Sequence, residues 1–267
     1  MHNISECESS LMDKKKILIV NDDGVASDGI RRLANAAMKY GEVWVVAPDG
    51  ERSASSHSLT VNKPLDVFPV DWGIEGIHVY SCSGMPTDCF RLGSKYIMPE
   101  PPDIVFSGIN NGYNAGPDNQ YSGTVGAALD AASCGYATIA FSEGFLIDPK
   151  QGGFNRIVTD KYLPQVLEEL LGEGAAEDPA KTHVEPGVVV NVNFPDCRVE
   201  ECKGIKWNCG VYMGDTFVDR YEEVKELPGG GTRYEICWVE RSHATEGTDM
   251  HALMNGYISI GVVNNIS

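Results

Sequence analysis

Two aspartates stand side by side at positions 22 and 23, where the apolar run of ILIVNDDGV gives way to glycine. Adjacent carboxylates repel each other unless a positive group lies between or beside them, and a hard divalent cation with oxygen ligands meets that need. An ordinary Asp-Gly turn, with Asp22 capping a backbone amide, accounts for the same residues without any chemistry. The neighbouring segments favour the first account. PDGERSASSHS, residues 48–58, follows a second apolar run and is dense in hydroxyls, Ser53 among them. A third run ends in SGINNGYNAG, which brings Asn110, Asn111 and Asn114. Asp, Ser and Asn oxygens gathered from three such ends would make the small octahedral site, with several waters retained, that Mg²⁺ or Mn²⁺ prefers. Beyond them, Tyr121-Ser122-Gly123-Thr124 opens an apolar helical pattern. Free amides at a helix start, backed by a macrodipole of about half a charge, favour an anion such as phosphate; taken alone, the Ser-Gly-Thr is an N-cap.

The elements that must position these residues are legible in the patterning. Residues 17–20 form a short continuous apolar run, the mark of a strand covered on both faces. Ser27 or Asp28 offers an N-cap, Ile30, Leu33, Ala34, Ala37 and Met38 recur at helical spacing, and Gly41 suits the position just past a helix end. EVWVVAP follows as a second strand, so the first unit reads as βαβ with parallel strands. The pattern recurs in DIVFSG (103–108), SGTVGAALDAA (122–132) and ATIAFS (137–142) as strand, helix and strand. A further helix over 158–171 contains Pro164, which kinks it or marks its true start. VVVNVNFP (188–195) returns to buried-strand character, and from 197 to 257 aromatic and β-branched residues with LPGGGT as a turn predict projecting hairpins. The expectation is an α/β fold of three layers, α/β/α and Rossmann-like, with a mostly parallel sheet. A polar leader (1–13) precedes the core (14–195), and a β-hairpin-rich C-terminal extension (196–267) belongs to the same domain. In such a sheet ligands bind outside the carboxyl ends of the strands, where strand order reverses.

Composition limits the partners. With 38 acidic against 21 basic residues the net charge is −17, a field that repels polyanions, so binding to a nucleic-acid polymer is not expected. A small anionic substrate needs a cation to help it bind. The eight cysteines contain no C-x-x-C pair, and Cys197, Cys202 and Cys209 lack zinc-knuckle spacing. The first 16 residues have no apolar signal region and no stretch approaches 18 apolar residues, so a cytoplasmic chain without a membrane span is expected.

Taken together, ILIVNDDGVASDGIRRLANAA, VVAPDGERSASSHSLT, FSGINNGYNAGPDNQYSGTVGAALDAA and VVVNVNFP resemble the motifs of the survival protein E (SurE) family of metal-dependent nucleotidases, in order over most of the first 195 residues. GMPTDCF (84–90) resembles the family's Gly-Thr-Pro-x-Asp-Cys segment with Met85 in place of threonine, and TDMHALMNGYISI resembles its closing strand. The resemblance implies hydrolysis of nucleoside monophosphates with one divalent cation, Mg²⁺ or Mn²⁺, per subunit. It places the metal ligands at Asp22, Asp23, Ser53 and Asn110, and phosphate at the Ser122-Gly123-Thr124 turn with Asn114 nearby. It also implies a homodimer or homotetramer that exchanges C-terminal elements; this chain departs there, with Gly261-Val262-Val263 where a Thr-Pro and a further tail are usual.

The expected mechanism is in-line attack of a metal-activated water on phosphorus, with Asp22 or Asp23 orienting or deprotonating that water and Asn110 holding the phosphoryl group. A covalent aspartyl-phosphate stays open at this stage, as do 3′ against 5′ specificity and cleavage of polyphosphate. Two rivals carry less. A phosphoacceptor receiver module needs an Asp at a central strand end and a later Lys, where this chain has Asn110 and Ser142-Glu143. A non-catalytic nucleotide-binding protein lacks its usual G-x-G-x-x-G or P-loop lysine here. His57 either touches phosphate or is a solvated loop histidine, and Tyr113 and Tyr121 either stack on a base or line the cleft wall.

Overall fold

The structure, a computed structural model, describes residues 15–144, 146–148, 153–175, 177–214, 218–238 and 243–264. The polar leader expected at 1–13 lies outside the described residues. In chain order the elements are β1 (Lys15–Val20), α1 (Asp28–Ala37), β2 (Gly41–Pro48), β3 (Val67–Pro69), β4 (Ile77–Cys82), α2 (Pro86–Leu92), β5 (Ile104–Asn111), α3 (Gly123–Ser133) and β6 (Ala137–Glu143). There follow β7 (Leu146–Asp148), β8 (Gly153–Asn155), α4 (Ile157–Leu171), β9 (Val189–Phe194), β10 (Ile205–Lys206), β11 (Val218–Leu227), β12 (Gly231–Trp238), α5 (Asp249–Met254) and β13 (Ile258–Val263).

Nine strands form one sheet in the order β10-β13-β9-β6-β5-β1-β2-β4-β3. All neighbours run parallel except β13 against β9 and β3 against β4. The side chains of β1 alternate between two cores, as a strand covered on both faces must. Ile17 and Ile19 pack with Ile30, Leu33 and Ala34 of α1 and with Leu163, Val166 and Leu167 of α4. Leu18 and Val20 pack with Phe90 of α2 and Ala127 and Ala131 of α3. The result is the three-layer, mostly parallel α/β fold that the patterning implies. From β1 the chain moves outward to β2 and β4, then returns across β1 to β5. The carboxyl ends of β1 and β5 therefore flank the reversal of strand order, the place where a doubly wound sheet leaves a crevice.

Some local expectations change. Gly41 does not follow a helix end: α1 stops at Ala37 with Met38 as C-cap, and Gly41 opens β2. There a Cβ would fall 2.0 Å from the Lys15 carbonyl oxygen, so the strand contact requires glycine. Pro164 does not start α4, which begins at Ile157 and runs through it. GMPTDCF holds a short helix, α2, with Pro86 in its first turn, and the Asp88 carboxylate accepts the amides of Met85 (2.8 Å) and Thr60 (3.1 Å). The hairpin of β11 and β12 forms a separate two-stranded sheet as expected, whereas β10 and β13 join the main sheet.

Candidate functional site

β1 ends in Asn21-Asp22-Asp23-Gly24, and each side chain is held by a different element. Asn21 Nδ2 donates to the Gly24 carbonyl (3.0 Å) and to Ser27 Oγ (2.9 Å), which folds the turn back toward α1. The Val25 amide donates to the Pro48 carbonyl (2.8 Å) and ties the turn to the end of β2. Asp22 is 3% exposed and reaches across to the start of α3, where its Oδ1 accepts the Thr124 hydroxyl. Its carboxylate also receives the amides of Gly123 and Thr124. Asp23 turns toward β5, and its Oδ2 accepts the Asn111 amide at 3.1 Å. The first turn of α3 is fixed to β5 from behind, because Ser107 Oγ donates to the Thr124 carbonyl at 2.7 Å.

The electrostatics of the pair are unfavourable without a cation. Burial pushes the Asp22 carboxyl above its ordinary range despite the hydroxyl and amides it accepts. Burial, and then the charge of Asp22, pushes Asp23 up to about 6. Among the described residues neither carboxylate forms an ion pair. Two acids brought together at a strand-order reversal with no basic partner fit a hard divalent cation. Asn110 at the end of β5 turns its amide nitrogen to the Gly112 carbonyl (2.9 Å), which leaves Oδ1 as its acceptor end. Among the described residues no three His, Cys, Asp or Glu side chains gather, so a centre here rests on two carboxylates and neutral oxygens.

Other expected site residues are used differently. Ser53 is exposed and its Oγ donates to Glu51 Oε1 at 2.6 Å, so in this structure its hydroxyl does not face Asp22. Asn114 is 5% exposed; its amide nitrogen donates to Ser142 Oγ (2.8 Å) and its backbone N–H to Asn193 Oδ1 (2.9 Å). At the Ser122-Gly123-Thr124 turn the Thr124 hydroxyl donates to Asp22 Oδ1 and the Val125 amide to Ser122 Oγ at 3.0 Å, while the Gly123 and Thr124 amides favour the charged form of Asp22. The start of α3 thus faces a carboxylate of the chain itself, as the turn-and-cap account of Asp-Asp-Gly expects, and that carboxylate lies beside Asp23.

His57 is partly exposed and points away from Asp22 and Asp23; its Nε2 lies 3.1 Å from Asp130 Oδ1 on the third turn of α3. Tyr121 is 59% exposed beside Ser122, whereas Tyr113 is half-buried and its hydroxyl accepts the Asp196 amide. A cavity of about 340 Å³ opens at the opposite edge of the sheet, lined by Lys15, Asp103, Leu170 and His183, and none of the expected site residues borders it. The chemistry and that cavity are at different ends of the strands, and the carboxylate pair is the better guide to function.

Residues 17–212 match the family Survival protein SurE. The chain belongs to the SurE family. The 5′-nucleotidase SurE of Mesorhizobium japonicum is 34% identical over 247 residues, 92% of this chain and 91% of that protein. The 5′-nucleotidase SurE of Clostridium botulinum is 38% identical over 247 residues, 91% and 90% of the two chains. The crystal structure of a SurE protein from Aquifex aeolicus superposes with a TM-score of 0.73 at 36% identity, covering 94% of each chain. SurE membership accounts for the main sheet. A serine for which sequence reasoning had no signal is Ser55, whose buried Oγ has no hydrogen-bond partner.

Proposed function

We propose that this SurE chain is a divalent-metal-dependent 5′-nucleotidase, a hydrolase that removes the phosphate of nucleoside monophosphates. The observation that carries the reading is the buried pair Asp22 and Asp23, raised in pKa and forming no direct ion pair among the described residues, at the strand-order reversal of a chain whose relatives are named 5′-nucleotidases. Asp22, Asp23 and Asn110 are the residues proposed to hold the cation, with Ser53 able to join by turning from Glu51. Bound there, a cation such as Mg²⁺ or Mn²⁺ would supply a Lewis acid and lower the pKa of a water bound to it.

The residues of the chain divide the remaining work. Thr124 and the amides of α3 fix Asp22, and the Asn111 amide fixes Asp23, so neither carboxylate needs to reorganise when substrate arrives. Asp23, the more open of the two, is the group proposed to take the proton of the attacking water. Tyr121, exposed beside Ser122, offers a ring to the nucleobase. A cytoplasmic homodimer or homotetramer is the proposed working form, on the family resemblance. The test is incubation of the purified chain with a panel of nucleoside 3′- and 5′-monophosphates, with Mn²⁺ and with EDTA. Release of phosphate from the 5′-monophosphates that stops with EDTA is the expected result. Absence of release from every nucleotide, with metal present, rejects the reading.

A further inference from the structure

The loop after β2 carries two candidate hydroxyls, and they face different ways. Ser55 Oγ is buried without a partner, a state unfavourable for a hydroxyl. A Cβ built on Gly123, the first residue of α3, would lie 2.6 Å from Ser55 Oγ and 2.9 Å from Asp22 Oδ2. The hydroxyl and the carboxylate therefore meet at the same bare glycine. Ser53, the serine selected by the family pattern, instead gives its hydroxyl to the exposed Glu51.

This loop is pressed into shape. Ala54 and Ser56 have φ of +54° and +52°, a conformation unfavourable for a non-glycine residue. At the near end the Arg52 amide donates to the Asp22 carbonyl at 2.7 Å. In the middle the Ser56 amide donates to the Tyr121 carbonyl (2.9 Å) and Ser56 Oγ to the Gln120 carbonyl (2.6 Å). The backbone lies directly on α3: a Cβ on Gly126 would come within 2.4 Å of the Ser56 carbonyl oxygen. At the far end His57 contacts Asp130, which is 4% exposed and also accepts Arg91 through Nε (2.7 Å) and Nη2 (2.8 Å).

We propose that Ser55 is a working hydroxyl of the site, donating to a phosphoryl oxygen where Asp22 and Gly123 converge, and that Asp130, gripped by Arg91, is the positioning residue that holds it there through His57. The proposal rests on the nucleotidase reading and adds residues to it. A hydroxyl donor that finds no acceptor among its own neighbours suits an oxygen acceptor that arrives with the substrate. The strain at Ala54 and Ser56 explains why the loop needs a fixed point at each end.

The experiment compares Ser55→Ala, Ser55→Thr, Asp130→Asn and Asp130→Glu in the full chain. The readouts are the Mn²⁺ dissociation constant, the affinity of inorganic phosphate for the Mn²⁺-loaded protein, kcat and KM on a nucleoside 5′-monophosphate, and Tm. Ser55→Ala is expected to keep Mn²⁺ affinity within twofold while phosphate affinity and kcat/KM fall at least tenfold, and Ser55→Thr to retain most of both. Asp130→Asn should weaken phosphate affinity three- to tenfold with KM moving more than kcat, and Asp130→Glu should recover at least half of that loss. Phosphate affinity and kcat/KM of Ser55→Ala within twofold of the parent overturn the role of Ser55. A lowered Tm in Asp130→Asn with unchanged phosphate affinity overturns the positioning role. If the parent chain hydrolyses no nucleotide, the nucleotidase reading fails by itself, and Ser55 is still judged by the phosphate titration.

Discussion

At the start of α3 the buried Asp22 carboxylate takes a hydroxyl and backbone amides; near the other end of the same helix the equally buried Asp130 takes a guanidinium fork and a histidine. Their exposures are 3% and 4%. Burial raises both, but at Asp130 the hydrogen bonds and charges of Arg91 and His57 outweigh it and hold the carboxyl below its ordinary range. At Asp22 burial wins, and burial followed by the charge of Asp22 raises Asp23 to about 6. A buried acid that the chain has supplied with its own cation is a finished structural lock. One left without a cation is costly for the fold and is retained where something positive binds from outside.

Substitution should break this contrast most visibly in turnover. Asp22→Asn and Asp23→Asn should each lower phosphate release from nucleoside monophosphates by about a hundredfold or more, the size seen when one preorganised electrostatic group is removed. Circular dichroism of both variants should match the parent. Asp130→Asn, by contrast, should leave measurable turnover.

Metal addition sharpens the same point. At pH 7.5, Mn²⁺ at about 100 times its dissociation constant should stabilise the parent by about 2.7 kcal/mol, seen as a Tm rise of roughly 5–10 °C. At pH 5, below the value of about 6 for Asp23, the rise should shrink by more than half. Asp22→Asn should show little rise at either pH.

The metal-free protein should respond to pH in opposite senses at the two acids. A carboxyl raised from 3.8 to about 6 in the fold favours folding below pH 4, and that contribution is lost as pH rises through 6. Between pH 4 and 7 the parent should therefore lose stability relative to Asp23→Asn, by about 2 kcal/mol after allowance for partial solvent screening. The lowered carboxyl of Asp130 stabilises above its unfolded value and loses that contribution as pH falls through its folded one. Asp130→Asn should accordingly cost about 1–2 kcal/mol at pH 7 and progressively less under acid, in urea melts. The same pH response at both acids would erase the distinction between them.

How much of this was legible in the sequence follows from the range of the interactions. The apolar runs at 17–20, 103–108 and 137–142 announced β1, β5 and β6, because strands buried on both faces must be apolar throughout. Asp22 and Asp23 were legible as an acidic pair at a strand end. That Asp22 would cap α3 was not, since Thr124 lies 102 residues away. The pairing of His57 with Asp130, 73 residues apart, was hidden for the same reason, and a serine-rich loop gave no signal that would single out Ser55. At seven residues α2 is too short to show a helical period. β13 entered the main sheet through antiparallel pairing with β9, a choice that local pattern does not encode.

The central claim is that Asp22 and Asp23 await one divalent cation. Titrating Mn²⁺ into the EDTA-stripped parent and into Asp22→Asn and Asp23→Asn, with free Mn²⁺ followed by electron paramagnetic resonance, tests it most directly. The account predicts one Mn²⁺ per chain in the parent and a loss of at least a hundredfold in affinity in each variant. Equal Mn²⁺ binding by all three proteins, or none by the parent, would contradict it.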